Sequence, residues 1–467
     1  MEKAKAHFNN HIIMIGFGCI GQALLPLLIN NLNIKPSQIT VITSDDTSVH
    51  VAQKFGINFQ GKTIKRDNYV EIIGNRLHPG DFVIDVSITL SSYCLLTLCE
   101  QKGALYINAS TERWGDEFIL ENIPPESRTN YLLREEVLKL KGKTSNTALI
   151  THGANPGLVS HFVKQALLNM AQDNQIKIQT PKTSFDWARL AYKLGIKAIH
   201  IAEHDTQTAL PVRAIGEFVN TWSIKGFIEE IRQPVEIGWG IHERHIPEGA
   251  KFHSVGPQCA IYLEHPSASV KVRSWTPSFG TYHGFLITHP ETTSITHFLT
   301  LKNDTEVQYR PTVLYAYCPC PDAILSLHEL YGNEWIPQEN SRLLVDDVKQ
   351  GVDELGVLLM GNPNGAYWFG STLSIEQARA LAPHNNATSL QVVAGLFAGI
   401  IWAIEHPNQG IVEPEELDHD EILKVALPYL GTVNGYYTDW NPLKNRGWLY
   451  SENVDVHDPW QFVNMQV

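Results

Sequence analysis

Cysteine is scarce in this chain, six among 467 residues, which excludes a disulfide framework. Cys318-Pro319-Cys320 has one residue too few between its thiols for the usual zinc or redox pair. The opening Met1-Glu2-Lys3-Ala4-Lys5-Ala6-His7 lacks the apolar core of a signal peptide, and the two absences together predict a reducing, cytoplasmic compartment. Long apolar runs are missing as well. The longest, Val392 to Ile404, is too short to span a bilayer, and with Gly395 and Gly399 inside it reads as a buried helix packed closely on a neighbour. Basic charge is short: 36 Lys and Arg against 49 Asp and Glu give a formal net charge of −13, and no basic stripe is visible. Nucleic acid is therefore excluded as a partner, since neutralising phosphates requires such a surface, whereas a cationic substrate would be tolerated. Neither an H-E-x-x-H motif nor an EF-hand spacing nor a G-x-S-x-G elbow occurs, so neither a metal site nor a serine nucleophile is expected. Internal repeats and low-complexity tracts are absent too.

What is present begins at Ile12-Ile13-Met14-Ile15-Gly16-Phe17-Gly18-Cys19-Ile20-Gly21, an apolar strand that turns through glycines into a helix. Gly16 permits the tight turn, Gly18 lets the backbone approach a pyrophosphate, and Gly21 allows helix and strand to pack closely. The helix N-terminus would face the phosphates with unpaired N–H groups and its positive dipole end, so this loop, with Phe17, Cys19 and Ile20 between its glycines, is the expected dinucleotide cradle. A carboxylate about 20 residues onward usually holds the adenosine ribose, yet the next strand, Ile39-Thr40-Val41-Ile42, runs into Thr43-Ser44. Asp45 and Asp46 follow and would serve if the strand ends a residue or two later. No Arg or Lys between Lys35 and Lys54 is available for a 2′-phosphate, which favours NAD over NADP.

Strand-like and helical segments alternate to about residue 150, the rhythm of a doubly wound parallel α/β sheet of Rossmann type. Ser87, Asn108 and His152 should fall at its carboxyl edge, where ligands bind. A second loop, Gly153-Ala154-Asn155-Pro156-Gly157, leads into a helix near Leu158 and is expected to face cofactor or substrate. From about 180 to 375 the texture changes to short apolar runs, aromatics, Gly and Pro, including Tyr315-Ala316-Tyr317, which predicts an α+β domain with an antiparallel sheet. The expected division is a nucleotide domain over 1–152, joined by a returning helical region at about 376–410. A substrate and dimerisation domain would occupy 153–375, and an irregular docked segment carrying Trp440, Trp448 and Trp460 would occupy 411–467.

Within the second domain, Glu203, Trp222 and the pair Glu229-Glu230 sit beside apolar runs. Together they suit an alkylammonium ligand: an indole face attracts a cation and carboxylates pair with it. His289 and, in the first domain, Glu112 beside Trp114 would complete a ring of polar groups. Met14-Ile15-Gly16-Phe17-Gly18, Gly153-Ala154-Asn155-Pro156-Gly157, Ile199-His200-Ile201-Ala202-Glu203, Asn220-Thr221-Trp222-Ser223, Arg273-Ser274-Trp275-Thr276-Pro277, Asp353-Glu354-Leu355-Gly356-Val357-Leu358-Leu359 and Asp458-Pro459-Trp460-Gln461-Phe462 resemble the bacterial homospermidine synthases nearly end to end. The resemblance implies a saccharopine-reductase-like fold, a homodimer, and transfer of an aminobutyl group between polyamines (putrescine, spermidine) by a bound NAD that is not consumed. It also implies that Trp222 lines the substrate passage, that Glu203 and Glu230 bind ammonium ends, and that Asn155, Glu112 and His289 surround the reaction centre. Glu203 is the first choice for proton transfer and His289 the second. Thr43 departs from the family's expected ribose-binding aspartate. A saccharopine or carboxynorspermidine dehydrogenase-like imine reductase is the alternative enzyme, and a non-catalytic nucleotide-binding scaffold the alternative from another class.

Overall fold

The computed structural model describes residues 6–118, 123–177, 179–304, 306–383 and 385–467, and the chain divides into two compact units. The first comprises Met1–Ser127, Leu132–Leu158 and Glu376–Leu430; the second comprises Arg128–Tyr131, Val159–Ile375 and Gly431–Val467.

The first unit is built on β1 (Ile12–Ile15), whose four residues are all buried because parallel strands take it on both sides. Strand β2 (Ile39–Thr43) pairs with it on one side and β4 (Phe82–Asp85) on the other. With β3 (Asn58–Gly61), β5 (Leu105–Asn108), β6 (Ala148–Leu149) and the short strand Ile411–Val412, the order across the sheet is 3-2-1-4-5-6 followed by Ile411–Val412. Every pairing is parallel. The order reverses between β1 and β4, the point at which doubly wound sheets bind ligands beyond their strand ends. The expected α/β sheet is therefore present, with small shifts: β2 continues through Thr43, and Asn108 closes β5 instead of following it.

The run around Val392 lies in a longer helix, Ala387–Glu405, than the apolar residues alone suggested. Asn386 caps it, its side chain accepting the Ser389 N–H at 2.7 Å, so polar Thr388 and Ser389 belong to the first turn. At 19 residues it is about 28 Å long, which corrects the expectation that it is too short to cross a bilayer. Its place is settled by burial, 89% of its apolar window lying inside the protein. Both glycines are required by close packing: a Cβ on Gly395 would lie 1.9 Å from the Gly153 carbonyl oxygen, and one on Gly399 would lie 2.8 Å from His152 Nδ1.

The second unit is organised around β7 (Ala198–Asp205), buried along its whole length. It pairs antiparallel with Val352–Met360 and parallel with Thr312–Cys318, so the sheet is mixed, where an antiparallel one was expected. Beyond Val352–Met360 come Ala366–Ser374 and then Thr432–Thr438; beyond Thr312–Cys318 come Pro234–Gly238, Ala260–Pro266 and Lys251–Phe252. Gly280–Ile287 and Lys271–Thr276 form a branch from Thr312–Cys318. The stretch 411–467 is not one irregular segment. Through Leu430 it belongs to the first unit and from Gly431 to the second, where Thr432–Thr438 is a sheet strand. Trp440 is buried and Trp460 packs on the core, but Trp448 is 80% exposed and not docked.

Candidate active site

In the first unit the glycines have separate tasks. Gly16 adopts φ 87°, and a Cβ there would lie 2.8 Å from the Val86 carbonyl oxygen. A Cβ on Gly21 would lie 2.9 Å from Gly16 O and 3.2 Å from Met14 Sδ, so this glycine sets how closely helix Cys19–Asn31 approaches the strand. At Gly18 a Cβ would meet nothing within 4 Å; that position faces open space just before the helix starts. Phe17 is buried, packs edge-on to Phe59, and its carbonyl accepts the Gln22 amide N–H at 2.9 Å, while Cys19 and Ile20 are half-buried at the helix start. The second loop is closed by Gly153 N–H donating to Pro156 O at 2.7 Å and Leu158 N–H donating to Gly153 O, and Asn155 lies within it.

Asp85 ends β4 and is buried. Burial pushes its carboxyl up to about 6, against the hydrogen bonds it accepts from Ser87 N–H, Ser87 Oγ–H and the Tyr106 hydroxyl. Ser87 thus stands at the sheet edge with its side chain turned onto Asp85. Asn108, expected to contact the cofactor, is fully buried; its amide donates to Ser92 Oγ and its carbonyl accepts Thr151 N–H, so it also braces the strand end. His152 is likewise buried, with Nδ1 3.0 Å from Gly395 O. Beyond Thr43, Asp45 accepts the N–H of Thr47 at 2.8 Å, which lowers its pKa and commits it to its own turn. Asp46 lies across Gly61, where a Cβ would come within 2.2 Å of its Oδ1. Glu112 accepts the Ser110 hydroxyl at 2.6 Å and lines a cavity of about 190 Å³ with Arg66, Arg113, Trp114 and Glu136.

In the second unit, alternation along β7 sends Glu203 and Asp205 to one face of the sheet. Tyr317 is in register with Glu203, and Asp353 is in register with Asp205, so these side chains share that face. The Tyr315 hydroxyl donates to Glu203 Oε2 at 2.5 Å, and Thr221 donates to Asp205 Oδ2 at 3.0 Å. Glu203, Asp205 and Asp353 are all buried. Tyr315 stacks on Tyr317 with centroids 5.3 Å apart, Tyr317 meets Phe227 at 5.8 Å, and Phe227 meets Trp222 at 5.3 Å. Trp222 directly precedes the helix Ile224–Arg232, which Ser223 caps through Gly226 N–H and which carries Glu229 and Glu230. Burial pushes Glu229 up to about 7.

His289 joins the other end of this row, its ring 4.7 Å from Tyr315. It is the N-cap of helix Pro290–Phe298. Its Nδ1 lies 3.1 Å from both oxygens of Glu291, and its Nε2 lies 3.2 Å from Glu230 Oε2. Burial opposes charge on the ring, but the two carboxylates outweigh it and raise its pKa well above the ordinary value. Burial raises Glu230 in turn, opposed by His289. Trp222, Glu203, Glu230 and His289 thus lie on one connected arrangement, while Glu112 and Asn155 belong to the first unit. Tyr315, Asp205, Asp353 and Glu291 were not singled out from sequence. The i, i+2 spacing of Tyr315 with Tyr317 and of Glu203 with Asp205 was the available signal, since it places each pair on one strand face. Even with His289 protonated, the named acids leave an excess of negative charge, and buried carboxylates favour a cation that can pair with them. The described residues contain no group of three or more His, Cys, Asp or Glu placed to hold a metal ion.

Family models for the saccharopine dehydrogenase NADP binding domain and the saccharopine dehydrogenase C-terminal domain match residues 12–150 and 153–439. Two homospermidine synthases are similar throughout. That of Blastochloris viridis is 46% identical over 98% of this chain and 97% of its own length, and that of Mesorhizobium japonicum is 44% identical over 98% and 96%. A crystal structure of the homospermidine synthase from Legionella pneumophila in complex with NAD is 62% identical, covers 99% of each chain and superposes with a TM-score of 0.94. The chain belongs to the homospermidine synthase family.

Proposed function

We propose that the protein forms homospermidine by NAD-dependent aminobutyl transfer, from two putrescines with release of ammonia or from spermidine and putrescine with release of 1,3-diaminopropane. The observation that carries this reading is the buried acidic and aromatic face of Glu203, Tyr315, His289 and Glu230, in a chain 62% identical to a relative solved with NAD. The dinucleotide fits the first unit, where Gly18 leaves open space in front of the helix start. NAD is preferred over NADP despite the name of the matching domain model, because residues 36–53 contain no Arg or Lys. When bound, NAD takes hydride from a carbon next to nitrogen and later returns it to a carbon-nitrogen double bond.

The chain's own residues supply the rest. Glu203, held by the Tyr315 hydroxyl, takes a proton from the substrate ammonium so that the adjacent carbon can lose hydride. It returns a proton when the second amine has added and the first departs. Glu230 binds an ammonium end, and Trp222 offers its indole face to the cation. Glu112 and Asn155, which the family resemblance assigns to the surroundings of the reaction centre, lie in the first unit. Asp46 is better placed than Asp45 to replace the missing carboxylate at Thr43, since Asp45 is held in its own turn. The six free thiols suit a reducing cytoplasm, and the working form is a homodimer.

Mass spectrometry of products from putrescine with NAD far below product concentration tests the proposal. Homospermidine should form without stoichiometric NADH. Build-up of NADH equal to substrate consumed would make the protein an amine dehydrogenase. A saccharopine-type imine reductase would instead consume external NAD(P)H and require a cationic patch for a substrate carboxylate, where this face is acidic.

A further inference from the structure

His289 stands between two carboxylates, one on each side of the ring. A neutral imidazole has one N–H donor and one lone-pair acceptor, so a neutral ring would point its lone pair at carboxylate oxygens. With both ring nitrogens 3.1 to 3.2 Å from carboxylate oxygens, the arrangement is satisfied by an imidazolium that donates to both. The two acids are held differently. Glu230 sits on helix Ile224–Arg232 and is half-buried, whereas Glu291 is 1% exposed in the first turn of helix Pro290–Phe298. That turn's N–H groups and dipole favour a negative charge without help from water. The other titratable groups facing the ring come through Tyr315, whose hydroxyl is engaged by Glu203.

We propose that Glu291 is a positioning residue for the reaction, fixing the His289 ring and its positive charge so that Glu230 is presented to the substrate ammonium as a carboxylate. This rests on the aminobutyl-transfer reading above only for what Glu230 binds; the charge state of His289 is independent of it. Without the Glu291 charge, His289 loses its second proton at lower pH. Glu230, half-buried and deprived of a cationic neighbour, then takes up a proton more readily and binds ammonium less well. The ring's own chemistry follows: as an imidazolium, His289 cannot serve as the general base, and Glu203 keeps that task.

The test uses Glu291→Gln, which keeps a hydrogen-bond acceptor but removes the charge, and Glu291→Asp, which keeps the charge. The His289 ring signal is followed by NMR in histidine-labelled protein without substrate and is assigned by its loss in His289→Gln. It should remain that of an imidazolium through pH 7 in the wild type and in Glu291→Asp, and should titrate at lower pH in Glu291→Gln. In turnover, Glu291→Gln should raise KM for putrescine about tenfold with a smaller change in kcat, and the acidic limb of kcat/KM should move to higher pH. Identical ring titration in wild type and Glu291→Gln, or a wild-type ring already neutral at pH 7, would overturn the proposal. The wild-type titration decides even if Glu291→Gln fails to fold. A correct ring titration with no homospermidine formed would leave Glu291 in place and reject the reaction instead.

Discussion

At the end of β1 the groups placed for a ligand are main chain: a glycine with φ 87°, another with open space over its Cα, and the first N–H groups of a helix. On the face of β7 they are side chains, carboxylates and phenols brought from strands and helices more than 100 residues apart in sequence. A site made of backbone tolerates almost any sequence that preserves the turn, so it binds a shared chemical group. A site made of side chains can be altered one group at a time, and specificity resides there.

The largest effect should come from the side-chain site. Glu203→Gln keeps the shape and the acceptor for Tyr315 but removes basicity, and single-turnover NADH formation with putrescine should fall about 100-fold or more. An unchanged rate would move the proton transfer elsewhere. Next, Trp222→Ala should weaken turnover by about 2 kcal/mol, with Trp222→Phe retaining more because a ring face remains. Equal losses in the two, or a much lower melting temperature in the alanine variant, would make Trp222 a packing residue.

A smaller effect compares the two units in acid. Burial holds His152 of the first unit at about 4 and His200 of the second at about 3, against an ordinary 6.5. The unfolded chain takes up these protons near pH 6.5 and the fold does not, so the stabilisation is complete above 6.5 and lost as pH falls toward 4 and 3. Each histidine should contribute on the order of 1–3 kcal/mol to that loss. Melting temperatures measured from pH 7 to 4 should fall less steeply in His152→Gln and His200→Gln than in the wild type, and parallel curves would remove these groups from the acid response. The smallest effect belongs to the backbone site: Gly18→Ala should weaken NAD binding about fivefold, roughly 1 kcal/mol, without changing the melting temperature. A fall in stability would mean that position 18 is needed for the turn itself.

The same contrast explains which parts of the molecule are legible in the sequence. The glycine turn is contiguous and its steric demands are local, so Gly16, Gly18 and Gly21 were legible together with the parallel sheet they serve. Glu203, Trp222, Glu230 and His289 were marked by residue type and by family resemblance, but their partners were not. Tyr315 meets Glu203 only because Thr312–Cys318 lies parallel to β7, a pairing that short apolar runs do not encode and that was expected to be antiparallel. Glu291 is an acid in a helix's first turn, a common place for one, so its residue type does not mark it as a partner of His289. Asn108 closes a strand where a cofactor contact is expected, and its bonds to Ser92 and Thr151 depend on segments far from it in sequence. Helix Ala387–Glu405 was underestimated because its polar first turn hid behind a capping asparagine.

The first unit takes its sheet from the beginning of the chain and its last parallel strand, with the buried helix Ala387–Glu405, from beyond residue 376. During synthesis the ribosome must deliver more than 400 residues before Ile411–Val412 can join β6. Until then β6 has an open edge, and the His152 and Gly153 positions lack the glycine-bearing helix that covers them. The second unit's 217 contiguous residues from Val159 to Ile375 emerge in the interval. Nascent chains stalled before and after residue 412 should therefore differ in protease resistance over residues 6–158, with the dinucleotide fold completed only after the second unit's central segment has emerged.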